Sequence, residues 1–306
     1  MRRVAAIIFV LLAVTSSFAQ DSQKDGLQKE VNALASAHKG KVAFFAKDLK
    51  TGTAVAIDAD TPVQTASVIK LTLMVEAFYE IKAGTHKLDE RLELKKANQT
   101  SGSGVFGLMH PGLNPTLQDT ITMMIAQSDN TATNMMIDVL GVDAVNKRIA
   151  SMGLRNTWLY KKIGIPANYP MPADQKKFGL GKTTAREMAE VLESIEQCDL
   201  GDKALCKQMI DTMKNQFWRT AIPRYLETVD TTEEPSSIAN KTGSLDHVRN
   251  DVGIVYTKHG PIIISAFTYD NEDTSWTVGN TAEILIAKMA KAVVDAWTQQ
   301  PVVPTK

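Results

Sequence analysis

Ser67-Val68-Ile69-Lys70 sets a hydroxyl and an amine three residues apart. On a helix that spacing puts both on one face, one turn from each other. Leu71, Met74, Val75 and Phe78 follow at helical intervals, so Ser67 to Ala83 reads as a helix with a buried stripe. A serine in the first turn lies against free N–H groups and the positive dipole end, which favour a developing anion. A lysine behind two apolar residues loses hydration, and desolvation lowers an ammonium pKa. A neutral amine within reach of a serine is a general base for that hydroxyl. Alone the pair says little: a chain of 306 residues holds about one such spacing by chance. Its plain alternative is an N-capping serine beside a snorkelling lysine.

Two further tripeptides change the odds. Ser128-Asp129-Asn130 opens a second helical pattern, and Lys241-Thr242-Gly243 ends one β-rich run and leads into another. By itself the first reads as an N-cap and the second as a turn. Each is expected well under about 0.1 times per chain, so the ordered set is specific. Other motifs fail on context. Gly102-Ser103-Gly104-Val105-Phe106-Gly107 fits a dinucleotide fingerprint, which needs a strand before it and a helix after it. Here polar Lys95 to Ser101 precedes and Pro111-Gly112 follows, so a flexible loop is the reading. Gly181-Lys182-Thr183 resembles the end of a phosphate-binding loop, but Lys176 stands where its first glycine is required. His38, His86, His110, His247 and His259 show no paired-ligand spacing, so neither metal nor cofactor is expected.

The elements that position these groups form an outer and an inner set. Residues 41–48 and 53–58 are β-rich runs split by a hairpin at Leu49-Lys50-Thr51-Gly52. Residues 116–127, 130–140, 142–152, 183–196 and 203–215 have helical periodicity, while 155–182 is irregular. Then come β-rich runs at 236–243, 251–258 and 261–269 and a closing helix over 280–298. Strands at both ends imply one sheet completed by distant parts of the chain, with a helical insertion between them. Lysine plus arginine equals aspartate plus glutamate at 34 each, which gives no basic field for nucleic acid. Met1-Arg2-Arg3, the apolar run Val4 to Val14 and Ser17-Phe18-Ala19 form the three regions of a secretory signal. Eleven apolar residues are too few for a span that needs about 20, so no membrane association is expected after cleavage. Cleavage after Ala19 leaves net charge −2 and an exported, periplasmic or secreted protein. Cys198 and Cys206 flank Asp199-Leu200-Gly201-Asp202, a helix break across which the two could meet as a disulfide.

The ordered trio resembles the signature of the class A serine β-lactamases and the penicillin-binding D,D-peptidases. Thr65 to Lys70, Ser128 to Ala132, Thr183 to Met188 and Arg219 to Pro223 all look like class A segments in class A order. The resemblance implies an α/β fold, an antiparallel sheet flanked by helices plus a helical lobe, with the site between. One catalytic domain, 20–306, would comprise an α/β lobe (20–62 and 216–306) and a helical lobe (63–215). Ser67 would be the acylated nucleophile and Lys70 its base. Ser128 would pass a proton to the leaving nitrogen, and Asn130 would hold the substrate amide and orient Lys70. Lys241, Thr242 and Ser244 would bind the substrate carboxylate, with Gly243 between them and Arg249 as a second contact. The N–H groups of Ser67 and Ser244 would form the oxyanion hole. Phe106 is either a rim aromatic or core.

The resemblance has one gap. Class A enzymes carry a Glu-x-x-Leu-Asn run whose glutamate activates the deacylating water. Here the loop reads Lys162-Ile163-Gly164-Ile165-Pro166-Ala167-Asn168-Tyr169-Pro170, and Asp174 is the only carboxylate between Asp143 and Glu187. The expectation is a serine hydrolase that opens β-lactams and releases them slowly. The rivals are a D-alanyl-D-alanine carboxypeptidase with the same acylation step and a non-catalytic penicillin sensor. Nothing in the sequence sets the oligomeric state.

Overall fold

A computed structural model describes residues 25–226 and 237–298. The amino-terminal signal pattern therefore lies outside the described residues. A five-stranded antiparallel sheet has the order β2-β1-β8-β7-β6, built from β1 (Lys41–Asp48), β2 (Ala54–Ile57), β6 (Ile238–Leu245), β7 (Val248–Tyr256) and β8 (Pro261–Tyr269). Both chain ends thus meet in one sheet, as the strand pattern implies. Between β1 and β2 the Asp48 carboxylate accepts from Lys50 N at 2.9 Å and Thr51 Oγ1 at 2.8 Å, and Gly52 turns with φ 75°.

The central strands are apolar on both faces, and period two sorts their side chains. Val42, Phe44, Ala46, Ile262, Ile264 and Ala266 join a core with α1 (25–36) and α9 (Thr281–Thr298). Ala43, Phe45, Ile263 and Phe267 face the other way, into the core of α2 (Lys70–Ala83), α3 (Leu117–Ala126), α4 (Asn130–Leu140), α5 (Val142–Ser151), α7 (Ala185–Gln197) and α8 (Lys203–Lys214). Among the described residues no helix is long and apolar enough to cross a membrane.

Two local readings change. Strands β6 and β7 run through 245 and from 248, so Lys241-Thr242-Gly243 lies inside a strand and Asp246-His247 makes the turn. The polar run Arg249-Asn250-Asp251 hides this strand, because its side chains are buried on partners rather than on an apolar core. The segment 155–182 is partly ordered: β4 (Trp158–Leu159), α6 (Gln175–Phe178) and β5 (Gly181–Thr183) occur in it. With β3 (Val63–Gln64), β5 and β4 form a small second sheet. The disulfide expected across the 199–202 break is present: Cys198 ends α7 in the left-handed region (φ 60°) and bonds to Cys206 with 5.6 Å between Cα atoms.

Candidate active site

Ser67 sits in a 3-10 turn, Ala66–Ile69, that feeds directly into α2. Ala66 before it has φ 45°, and Ser128, at the turn between α3 and α4, has φ 54°. Each costs on the order of 1–3 kcal/mol unless the surroundings hold it. The holding contacts are visible. Asn250 Nδ2 donates to Gln64 O at 2.9 Å and Thr65 O at 3.2 Å, which pins the approach to Ser67. Asp129 caps α4 by accepting from Ala132 N at 2.8 Å. Its other oxygen accepts from Val105 N at 2.6 Å and Phe106 N at 2.8 Å. The glycine-rich stretch is therefore a fastened wall rather than a free loop, and Phe106 is core.

Lys70 is fully buried, and its Nζ reaches Ser128 O at 2.6 Å, Asn130 Oδ1 at 3.0 Å and Ser128 Oγ at 3.3 Å. Burial pushes its pKa well below the usual lysine value, and the charge of Lys241 pushes the same way. A neutral amine has two N–H donors and one lone pair. The carbonyl and amide oxygens accept the two donors, which leaves the lone pair for a hydroxyl. No hydrogen bond joins Lys70 to Ser67 Oγ; the hydroxyl in contact is that of Ser128. Lys241 donates to the same oxygen at 2.9 Å, and burial lowers its pKa to about 7. Ser128 Oγ thus bridges two buried amines. Asn130 Oδ1 accepts from Lys70 Nζ at 3.0 Å, while its own Nδ2 donates to Ser101 O at 3.0 Å.

Strand β6 is the sheet edge. Its outward carbonyls bond to side chains: Ile238 O to Arg219 Nη1 at 3.4 Å, Asn240 O to Gln216 Nε2 at 3.4 Å, and Thr242 O to Lys241 Nζ at 2.9 Å. In an antiparallel strand the N–H and C=O of one residue point the same way and alternate along the chain. Ser244 has the parity of those three residues, so its N–H also faces outward. A Cβ on Gly243 would lie 2.9 Å from Ser67 N, so the strand crosses the Ser67 backbone in contact. Ser67, Thr242, Gly243 and Ser244 all line one cavity of about 740 Å³, with Ser128 and Asn130 across from them.

Arg249 also lines this cavity but is committed elsewhere. Nη1 donates to Leu245 O and, at 2.9 Å, to Val248 O; Nη2 donates to Ser275 O at 2.7 Å. Its guanidinium lies 4.4 Å from the Trp276 ring. Asp174 stands outside the cavity lining, and Lys182 at 2.6 Å holds its carboxyl below the usual aspartate range. The lysine that binds it is Lys182, not adjacent Lys176 or Lys177. Among the described residues the carboxylate lining the cavity is Glu283, 3.6 Å from Arg249 Nε. Sequence reasoning missed Asn134, which accepts from Ile163 N at 2.8 Å and donates to Ile163 O at 2.9 Å. That clamp holds Lys161 to Gly164 against the cavity. Asn134 stands one turn beyond Asn130 on α4, a spacing that flags a shared face.

The chain that carries this site is similar to known proteins over most of its length. A beta-lactamase from Sphaerobacter thermophilus is 30% identical with a TM-score of 0.77, covering 90% of this chain and 98% of that one. PBP-A, solved as a variant in an acyl-enzyme complex with penicillin G, has a TM-score of 0.76 at 23% identity, covering 90% and 97%. The beta-lactamase regulatory protein BlaB of Streptomyces cacaoi is 22% identical over 295 residues, 84% of this chain and 94% of that protein. The model of the beta-lactamase enzyme family matches residues 26–297. With nearly all of its described length inside that match, the chain belongs to the beta-lactamase enzyme family.

Proposed function

We propose that this protein is a serine hydrolase that is acylated by β-lactams at Ser67 and released slowly. The observation that carries the reading is Ser128 Oγ held between Lys70 Nζ at 3.3 Å and Lys241 Nζ at 2.9 Å. Ser67 Oγ attacks the lactam carbonyl carbon, and its proton passes to Lys70. Ser128, in contact with that amine, delivers a proton to the lactam nitrogen as the C–N bond breaks. The tetrahedral oxyanion is met by the Ser67 and Ser244 N–H groups, and the substrate carboxylate by Thr242, Ser244 and the Lys241 charge. The described chain acts as one catalytic domain, with the site where the helices meet the edge of the sheet. The signal-like leader and the disulfide support an exported enzyme.

Slow release rests on the lining of the cavity. The deacylating water needs a base within about 3 Å, worth about 10²–10⁴-fold. Asp174 is paired with Lys182, and Glu283 is paired with Arg249. The same gap favours D-alanyl-D-alanine peptidase behaviour as the second reading. Intact-mass spectrometry after mixing with benzylpenicillin tests both steps. The expected result is a burst, a long-lived adduct mapped to Ser67, no adduct in Ser67→Ala, and unchanged turnover in Asp174→Asn. An adduct on another residue, or fast turnover without a trapped adduct, overturns the proposal.

A further inference from the structure

The lining of the same cavity includes an apolar group, an annex that acylation chemistry leaves unused. Its walls are Trp218, Leu245, Trp276, Val278 and Ile286. Trp276 is 68% exposed and Val278 70%, although both belong to a rigidly bonded segment. Asp273 accepts from Ser275 N at 3.0 Å and Thr281 N at 2.8 Å. Asn280 Nδ2 donates to Ser275 O at 2.9 Å, and Arg249 Nη2 donates to the same oxygen at 2.7 Å. Arg224 Nη1 holds Val278 O. A stiff segment that presents an indole and an isopropyl group to a cavity is a surface made to be covered.

We infer that this annex binds a neutral aromatic or branched apolar substituent on the leaving-group side of the substrate. The inference rests on the proposed acylation at Ser67. In that reaction the carboxylate held by Thr242 and Ser244 sits on the carbon next to the leaving nitrogen. Leu245 follows Ser244 on β6, Arg249 Nη1 donates to Leu245 O and the same guanidinium lies 4.4 Å from the Trp276 ring, which joins the annex to the carboxylate end rather than to the acyl side. Charge favours a neutral group. Arg249 and Glu283 are paired at 3.6 Å, and Arg249 donates to three backbone carbonyls. An anion would find the arginine engaged and Glu283 repelling it. An arene would meet the Trp276 face, stiffened by the guanidinium 4.4 Å away.

The test compares acylation efficiency on two cephalosporins that differ only at C3, one with an aryl-vinyl group and one with methyl. The protein as it stands should prefer the aryl compound by about tenfold, the size of one aromatic contact. Trp276→Ala should collapse that preference to near unity, Trp218→Ala should reduce it, and Trp276→Phe should restore most of it. Trp276 is largely solvent-exposed, so its loss leaves the fold intact by circular dichroism. If all three variants keep the aryl preference within twofold of that of the unchanged protein, the annex is overturned, as it is by preference for an anionic C3 group. Benzylpenicillin serves as the separate control. If it fails to label Ser67 in the unchanged protein, the parent reading fails; if it labels normally while the C3 ratio is flat, only the annex fails.

Discussion

Gly243→Ala should damage acylation by a route that can be worked out from contacts. The added methyl carbon would lie 2.7 Å from Thr65 O, 2.9 Å from Ser67 N and 2.9 Å from Val68 N. All three are backbone atoms, and ordinary contact begins at 3.4 Å, so β6 and the Ser67 turn must separate by 0.5–0.7 Å. The two proposed oxyanion donors, Ser67 N–H and Ser244 N–H, lie on opposite sides of that contact. Removing one such donor costs about 10²–10³-fold, and a 1 Å misplacement costs about 10²-fold. The expected loss in acylation efficiency with benzylpenicillin is therefore about 10²-fold, read by stopped-flow with adduct mass as the endpoint. Overpacking also costs about 1–3 kcal/mol of stability, so melting curves accompany the kinetics. Gly26→Ala is the control, since a methyl there meets nothing within 4 Å. Acylation of a folded Gly243→Ala protein within threefold of the unchanged rate would refute the argument.

Acylation should fall on the acid side as Lys70 gains a proton, because only the neutral amine accepts one from serine. Substrate binding should weaken as pH rises through about 7, where Lys241 loses the charge that meets the carboxylate. A flat profile between about pH 5 and 9 would contradict both assignments. Ile163→Glu should shorten the lifetime of the acyl-enzyme by tenfold or more. The Asn134 clamp fixes the backbone of residue 163 at the cavity wall, and a carboxylate there could activate water. An unchanged adduct half-life by mass spectrometry would count against that placement. Removing the disulfide with Cys198→Ala and Cys206→Ala should cost about 2.5 kcal/mol from loop entropy, or roughly 5 °C in melting temperature. Acylation rates should not move, and a loss of acylation would show the α7–α8 corner to be coupled to the site.

The parts of the site readable from sequence are those whose geometry is local. Ser67 and Lys70 share a helix face by spacing alone, and Asp129 announces a cap by its side chain. The hairpin at Asp48 to Gly52 and the bridged corner at Cys198 are local for the same reason. What the sequence hides is set by partners far along the chain. Lys70 turns to Ser128 rather than to Ser67, because the strained turn at 128 presents two oxygens to it. Strand β7 opens on Val248 and then Arg249-Asn250-Asp251, whose polar side chains are buried on the backbones of Leu245, Gln64 and Ile222 and on the Asn240 side chain. No periodicity could find that strand start. Trp276 looks like an ordinary loop aromatic until Arg249 stacks on it.

The pairing of β1 with β8 has a kinetic meaning. Val42 faces Thr268 and Phe45 faces Ser265, so the second strand from the edge is made at the start of the chain and finished almost at its end. Loop closure over such a distance must precede any energetic return, which slows folding and makes it depend on topology more than on helix strength. The helices from 70 to 214 can form early, but β6, with its lysine and edge amides, is fixed in the sheet with its hairpin partner β7 only when β8 docks against β1. A nascent or truncated chain lacking β8 would therefore contain Ser67, Lys70 and Ser128 in helical surroundings and still fail to react with penicillin. Reactivity toward a labelled β-lactam should consequently appear late and all at once during refolding, after the helical signal, which makes covalent labelling a direct clock for completion of the sheet.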